Sequence, residues 1–385
     1  MYNTQKYFPV NWTDGMKINK EVFTAQENAI QDLCVHASAL ALTPLRYGVL
    51  PSDRNSEENF KVHAAVDNQM TLQVSILSCN AVTRGGVAIN IPAAGMPKGT
   101  DSTASVVLRF PSNPSNGVYW IVLLSNPFKL VPFGTPDIGE DPPRIPYVMP
   151  EYKLEVVPDD QYVQFVNHPH ALFVGKVNVS GTGIVVDEEY IPPCFSVSAH
   201  PALIDLYGEL GAFYSVLERH CCEIVQKIYG RGQKNELSEL VLFLCDRVML
   251  FLSPAVTDTK WLHYHEPPVF LFSTVATLSR VIKNTIDLRI GLGKDELLNY
   301  LSEWCNLRSG ELETIFTDVA MLRYDNNDIS QCIQPIARFV KVIGKLFETL
   351  STLEFIGKKK ESGIFIKEDE NRQSVSQRTR PRFFS

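Results

Sequence analysis

Leu172-Phe173-Val174-Gly175-Lys176-Val177-Asn178-Val179 alternates in part, as a half-buried strand does, and a turn cluster, Ser180-Gly181-Thr182-Gly183, follows it. Next comes Asp187-Glu188-Glu189-Tyr190-Ile191-Pro192-Pro193, and after it the period changes. Leu203, Tyr207, Leu210, Tyr214, Leu217, Cys221, Ile224 and Ile228 recur at alternating four- and three-residue steps, the seam of a helix bundle. The two prolines stiffen the exit from the last strand and stop further pairing before a helix begins. One chain therefore holds two architectures that meet near residue 195. The fold class is α+β and multidomain: an antiparallel β-sandwich precedes an α-helical bundle. The expected boundaries are 1–195 for the β domain with its N-terminal arm, 196–356 for the bundle, and 357–385 for a basic tail.

Toward the N-terminus, short apolar runs alternate with turn residues. Val74–Leu77, Val87–Ile91, Ser105–Phe110, Val118–Leu124, Lys153–Val157, Gln161–Val166 and Leu172–Val179 are the expected strands. Arg84-Gly85-Gly86 and Pro111-Ser112-Asn113-Pro114 punctuate them, and Pro132–Pro150 is expected to be a long surface loop. One helix is expected in this half, over residues 18–42, with Asn19 as its cap and Pro44 beyond its end.

Toward the C-terminus, Leu237–Leu252 is expected to form a helix stopped by Pro254. Another begins after Pro267-Pro268 and closes at Gly291 and Gly293. Shorter ones cover Lys294–Leu301 and Ser309–Ala320. The last helix carries the clearest heptad pattern: Ile333, Val340 and Phe347 share one position, and Ile336, Ile343 and Leu350 share the position three on. Such a seam packs either inside one chain or between subunits, so these six are also oligomer-interface candidates. Residues 357–385 carry eight Lys or Arg against four Asp or Glu, and end near Phe383-Phe384. A tail of that composition is either solvated or meets an acidic partner or anionic lipid.

The 385 residues are 45% hydrophobic and 21% charged, enough to bury full cores. The net charge of −7 argues against a broad nucleic-acid surface. The opening MYNTQKYFPVNW has no apolar run of the secretory kind, and no spanning helix is expected. The eight cysteines are scattered, with no Cys-x-x-Cys, which fits reduced thiols in a cytoplasmic protein. No phosphate loop, dinucleotide fingerprint, nucleophile elbow or metalloprotease helix occurs. His263-Tyr264-His265-Glu266 is the most metal-like cluster, without a third ligand group nearby, and His168-Pro169-His170 sits in an expected turn. No catalytic residue, cofactor or metal is expected.

Trp12-Thr13-Asp14-Gly15-Met16, with Ile18, Phe23 and Gln26-Glu27, resembles the opening signature of the TssK family, the baseplate subunits of bacterial type VI secretion systems. Lys20 and Val22 depart from it, where the family commonly has Pro and His before the Phe. Tyr190-Ile191-Pro192-Pro193 is similar to the family segment that ends the β domain. Tyr324-Asp325 through Asp328, before the last helix, is similar to a Tyr-Asp turn of the family. The resemblance covers about residues 8–350. It implies a homotrimer whose β domains, like the shoulder of phage receptor-binding proteins, attach to the wedge proteins TssF and TssG. Its outer part would reach the membrane complex, the whole lying in the cytoplasm at the inner membrane. Little follows the last helix, so an outer head looks shortened, as in the divergent Bacteroidetes type. Trp12, Gly15, Met16, Phe23 and Gln26 then either bind a partner or fasten the arm to its own domain. Tyr190, Ile191, Pro192 and Pro193 mark the domain junction. A phage-type tail adaptor is the alternative with the same architecture.

Overall fold

The computed structural model describes residues 5–52, 59–67, 70–92, 105–110, 116–181 and 183–357. The basic tail expected over 357–385 lies outside them from residue 358 onward. The chain forms two compact units. The first is Met1–Pro201 together with two later segments, His265–Pro268 and Asp325–Ser330; the second is Ala202–Tyr264, Val269–Tyr324 and the chain from Gln331. A single boundary near 195 was expected, and the two later segments were not.

In the first unit the elements run α1 (Lys20–Ala39), β1 (Gly48–Val49), β2 (Phe60–Val66), β3 (Thr71–Val82), β4 (Ala88–Ile91), β5 (Ser105–Arg109), β6 (Gly117–Phe133), β7 (Tyr147–Pro158), α2 (Tyr162–Val166), β8 (Ala171–Ser180) and β9 (Gly183–Val186). β3 is the organiser of one antiparallel sheet, pairing with β1, β2, β4 and β5. The other sheet has the order β7-β6-β8-β9, again antiparallel. Alternate residues of both sheets share one core: Leu72, Val74 and Ile76 of β3, Ile121 and Leu123 of β6, Leu154 of β7, and Leu172 and Val174 of β8. This is a β-sandwich.

The second sheet is also covered on its outer face, where Trp120, Val122 and Phe173 pack with Tyr190 and with Tyr162, Phe165 and Val166 of α2. Both faces being buried explains why Val118–Leu124 is nearly all apolar. Residues 161–166 are therefore a helical turn and not the expected strand. Tyr162, Phe165 and Val166 stand at the i, i+3, i+4 spacing of one helix face, a pattern too short to separate from alternation by sequence. The expected loop Pro132–Pro150 is shorter, because β6 and β7 stay paired out to Phe133 and Tyr147.

The second unit holds α3 (Pro201–Gly230), α4 (Glu236–Asp258), α5 (Pro268–Asp287), α6 (Lys294–Cys305), α7 (Ser309–Ala320) and α8 (Ile333–Thr352). α4 passes through Pro254 and ends in a π-turn, Thr259–His263. The proline removes the hydrogen bond to the Leu250 carbonyl, and Leu250 is exposed, so water can take that oxygen. Among the described residues, Glu236–His263 is one helix long and apolar enough to cross a membrane. Its buried stripe, Leu240, Val241, Leu244, Cys245, Val248 and Leu252, is core of this unit, as the expected bundle helix requires.

Candidate interaction surface

The N-terminal arm is held to α1 by side chains that accept its backbone N–H groups. Asp32 Oδ2 accepts from Lys6 and Tyr7 at 2.6 and 2.9 Å, and Gln26 Oε1 accepts from Val10 at 3.0 Å. Asp32 is buried, so these bonds also satisfy a carboxylate that would otherwise be costly. Thr13–Met16 closes a turn, Met16 N–H to Thr13 O at 3.2 Å, and Gly15 occupies its left-handed position at φ +78°. The turn brings the Trp12 ring to 6.5 Å from that of Phe23. Asn19 caps α1 by accepting from Val22 N–H at 3.1 Å. The structure thus gathers Trp12, Gly15, Met16, Phe23 and Gln26 into one arm-and-helix element.

That element is only half covered. Ala29, Asp32 and Val35 form its buried side, and the helix backbone there comes so close to the β3–β4 turn that a side chain at Gly86 would meet Val35 O at 2.5 Å. The opposite side is apolar and exposed: Phe23 is 55% exposed, Ile30 53%, and Leu33 on its flank 65%, with Trp12 at 49% beside Phe23. Isolated exposed apolar residues need no explanation, but exposed Trp12 and Phe23 with their rings together on a fastened element are candidates for contact with another molecule.

The junction residues Tyr190, Ile191, Pro192 and Pro193 are all buried. Pro193 O accepts from Val49 N–H at 2.8 Å, and Phe195 N–H returns to Val49 O at 2.9 Å. Gly48, at φ +115°, has the Pro193 carbonyl where a Cβ would stand, 2.0 Å away, so no side chain fits there. Tyr190 reaches a residue that sequence reasoning did not single out, Asn327.

Asn327 is buried and meets three tyrosines of the same unit. Tyr47 donates its hydroxyl to Asn327 Oδ1 at 2.6 Å, Asn327 Nδ2 donates to the Tyr162 oxygen at 3.3 Å, and Tyr190 donates to the Asn327 carbonyl at 2.6 Å. Tyr162 also donates to Asp325. Asp328 accepts from Lys176 Nζ at 2.8 Å, and that ammonium lies 5.4 Å from the Trp120 ring centroid. Burial pushes the Tyr47 hydroxyl up to about 12, and burial and the Asp325 carboxylate push Tyr162 higher still, so both remain neutral donors. The available sequence signal was the run Asp325-Asn326-Asn327-Asp328; its partners lie more than 130 positions away.

The seam Ile333, Ile336, Val340, Ile343, Phe347 and Leu350 is buried within one chain. A single copy already covers all six, so the interface reading is replaced by intrachain packing in the second unit. His263 is buried, its Nδ1 3.2 Å from Thr259 Oγ1, while Glu266 pairs with Arg46. Among the described residues no group of three His, Cys, Asp or Glu side chains could hold a metal ion.

No protein-family model matches the chain, and no curated protein matches it significantly. Solved structures do match. A crystal structure of TssK is 12% identical, with a TM-score of 0.45 over 90% of this chain and 70% of that one. The TssK-TssF-TssG baseplate subcomplex of a type VI secretion system, seen by cryo-electron microscopy, is 14% identical, with a TM-score of 0.45 over 89% of this chain and 100% of that one. TssK from the EAEC system, bound to a nanobody, is 16% identical, with a TM-score of 0.40 over 84% of this chain and 68% of that one. The chain is similar to TssK and to complexes that contain it.

Proposed function

We propose that this protein is a non-enzymatic baseplate subunit of a type VI secretion system, a divergent member of the TssK family that joins the baseplate wedge to the membrane complex. One observation carries the reading. The residues of the family-like opening motif form a fastened arm and helix whose outward side is apolar and uncovered. A connector needs such a surface, and a self-contained enzyme does not. On this reading Trp12, Phe23, Ile30 and Leu33 dock onto proteins of the TssF and TssG kind. Each is already about half covered, so burying the remainder contributes about 1–1.5 kcal/mol before the cost of association.

The protein acts as a homotrimer in this scheme. Because the α8 seam is occupied within one chain, the trimer contact falls elsewhere on the second unit. Leu250, Trp261 and Leu262 are exposed on α4 and its π-turn and supply an apolar patch for closed three-fold packing. Membrane-side contacts then belong to the parts of the bundle outside that patch or to the chain beyond residue 357.

Co-purification with the TssF and TssG proteins of the same system tests the wedge contact. Phe23→Glu with Ile30→Glu should abolish capture while the melting temperature stays within a few degrees of wild type. Capture at wild-type strength by the double variant refutes the wedge-binding role of α1. Light scattering should give a mass near three chains, falling toward one in Trp261→Glu.

A further inference from the structure

Beside their buried sides, α3 and α4 each carry a second stripe at three- and four-residue steps: Cys222, Val225 and Tyr229 on α3, and Leu242, Asp246 and Met249 on α4. A groove of about 600 Å³ runs between the two stripes. Val225, Leu242, Phe243 and Met249 are half-buried in it, and Tyr229 is 68% exposed. Both signs of charge stand at its rim. Glu239 and Asp246 line the wall, and the Arg247 and Arg289 guanidiniums lie 5.0 and 4.3 Å from the Phe243 ring.

The chain leaves the helices at the end of this groove. Ile356 N–H donates to Gln233 Oε1 at 3.0 Å, Asn235 Nδ2 donates to the Ile356 carbonyl at 3.2 Å, and Gly357 N–H donates to the Tyr300 oxygen at 3.0 Å. Asn235 caps α4 one turn before Glu239, so Gly357 is fastened where the groove begins. An apolar triplet, Ile364-Phe365-Ile366, follows after six residues, between Lys358-Lys359-Lys360 and Lys367-Glu368-Asp369-Glu370. Those residues reach up to about 25 Å, and the wall from Glu239 to Met249 is about 15 Å long. We propose that residues 358–370 lie along this groove of their own chain, with Ile364, Phe365 and Ile366 against Val225, Leu242, Phe243 and Met249. The lysines then answer Glu239 and Asp246, and the acidic run answers Arg247 and Arg289. Attachment at Gly357 gives the segment a local concentration of about a millimolar, ahead of a free segment of the same pattern. A partner that uses the groove must first displace it. This inference is independent of the baseplate reading.

Cys222 on the groove wall reports occupancy, and the exposed Cys34 of the first unit serves as control. The full chain and its Phe365→Glu variant are treated with N-ethylmaleimide, and each cysteine is followed by peptide mass spectrometry. Cys222 should react about tenfold faster in Phe365→Glu. Cys34 should keep its rate, and the melting temperature should stay within a few degrees. A synthetic peptide of residues 358–370, added to the variant, should slow Cys222 again in a saturable way. Equal Cys222 rates in the two proteins overturn the proposal, as does a peptide without effect. Protection that disappears on dilution of the full chain also overturns it, by placing a second copy in the groove.

Discussion

Asn327 satisfies two tyrosine side chains and a third through its backbone, so its removal has unequal effects. Asn327→Ala loses both side-chain bonds and removes the acceptor of the Tyr47 hydroxyl, while Tyr190 keeps its carbonyl partner. The expected cost is about 2–4 kcal/mol, read as a lower urea midpoint. Tyr190→Phe strands only the Asn327 carbonyl and should cost about 1–2 kcal/mol. Equal losses would contradict the hub geometry. A pH effect belongs to the same scale. Burial pushes His200 down from 6.5 to about 4. Below pH 6.5 the unfolded chain takes up this proton before the folded one does. Stability is then full above pH 6.5 and declines as pH falls toward 4, by at most about 3 kcal/mol. His200→Gln should flatten that part of a melting-temperature profile; an unchanged profile would assign the acid sensitivity to other groups. Single residues were the least legible part of the sequence. Asn19 acts locally and was readable as a cap, whereas the left-handed turn at Gly15 was not read. Asn327 and Tyr47 act across 280 positions, and nothing in their immediate neighbours announces that.

Elements were legible where one period ran long. α3 and α8 lie where their three- and four-residue repeats put them, and α5 lies between the Pro and Gly signals that bound it. α2 was misread because five residues cannot display a period, and α4 was cut short because proline was weighed above solvent access to the freed carbonyl. Whether the α8 seam packs within or between chains is not written in a heptad pattern, since both uses bury the same positions. Within one chain, Ile343→Ala or Phe347→Ala should cost about 2–5 kcal/mol by leaving a cavity. The native mass at room temperature should stay unchanged; a lower mass without loss of stability would restore the interface reading. α1 behaves in the opposite way. Leu33, 65% exposed on its flank, leaves little contact to lose, so Leu33→Ser should alter stability by no more than about 0.5 kcal/mol.

At the level of the whole molecule, the change of period near residue 195 separated β from α correctly, but it did not reveal that the β unit is built from three pieces of chain. His265–Pro268 and Asp325–Ser330 return to it, so the chain passes between the two units five times. A fragment ending at Pro201 lacks Asn327 and Asp328, leaving Tyr47 and Tyr190 unpaired and the Lys176 ammonium without its main carboxylate partner. Such a fragment should melt well below the full chain and bind a hydrophobic dye; a cooperative transition at the full-length temperature would show that the returning segments add nothing.

The same threading sets an order in time. A ribosome that has finished the β strands has about 140 residues still to add before Asp325–Ser330 is made. At about 5–20 residues per second the interval is roughly 7–28 s. Throughout it the sandwich exists without the loop that completes it, and the Tyr47, Tyr162 and Tyr190 hydroxyls wait for the partners that Asp325–Ser330 will supply.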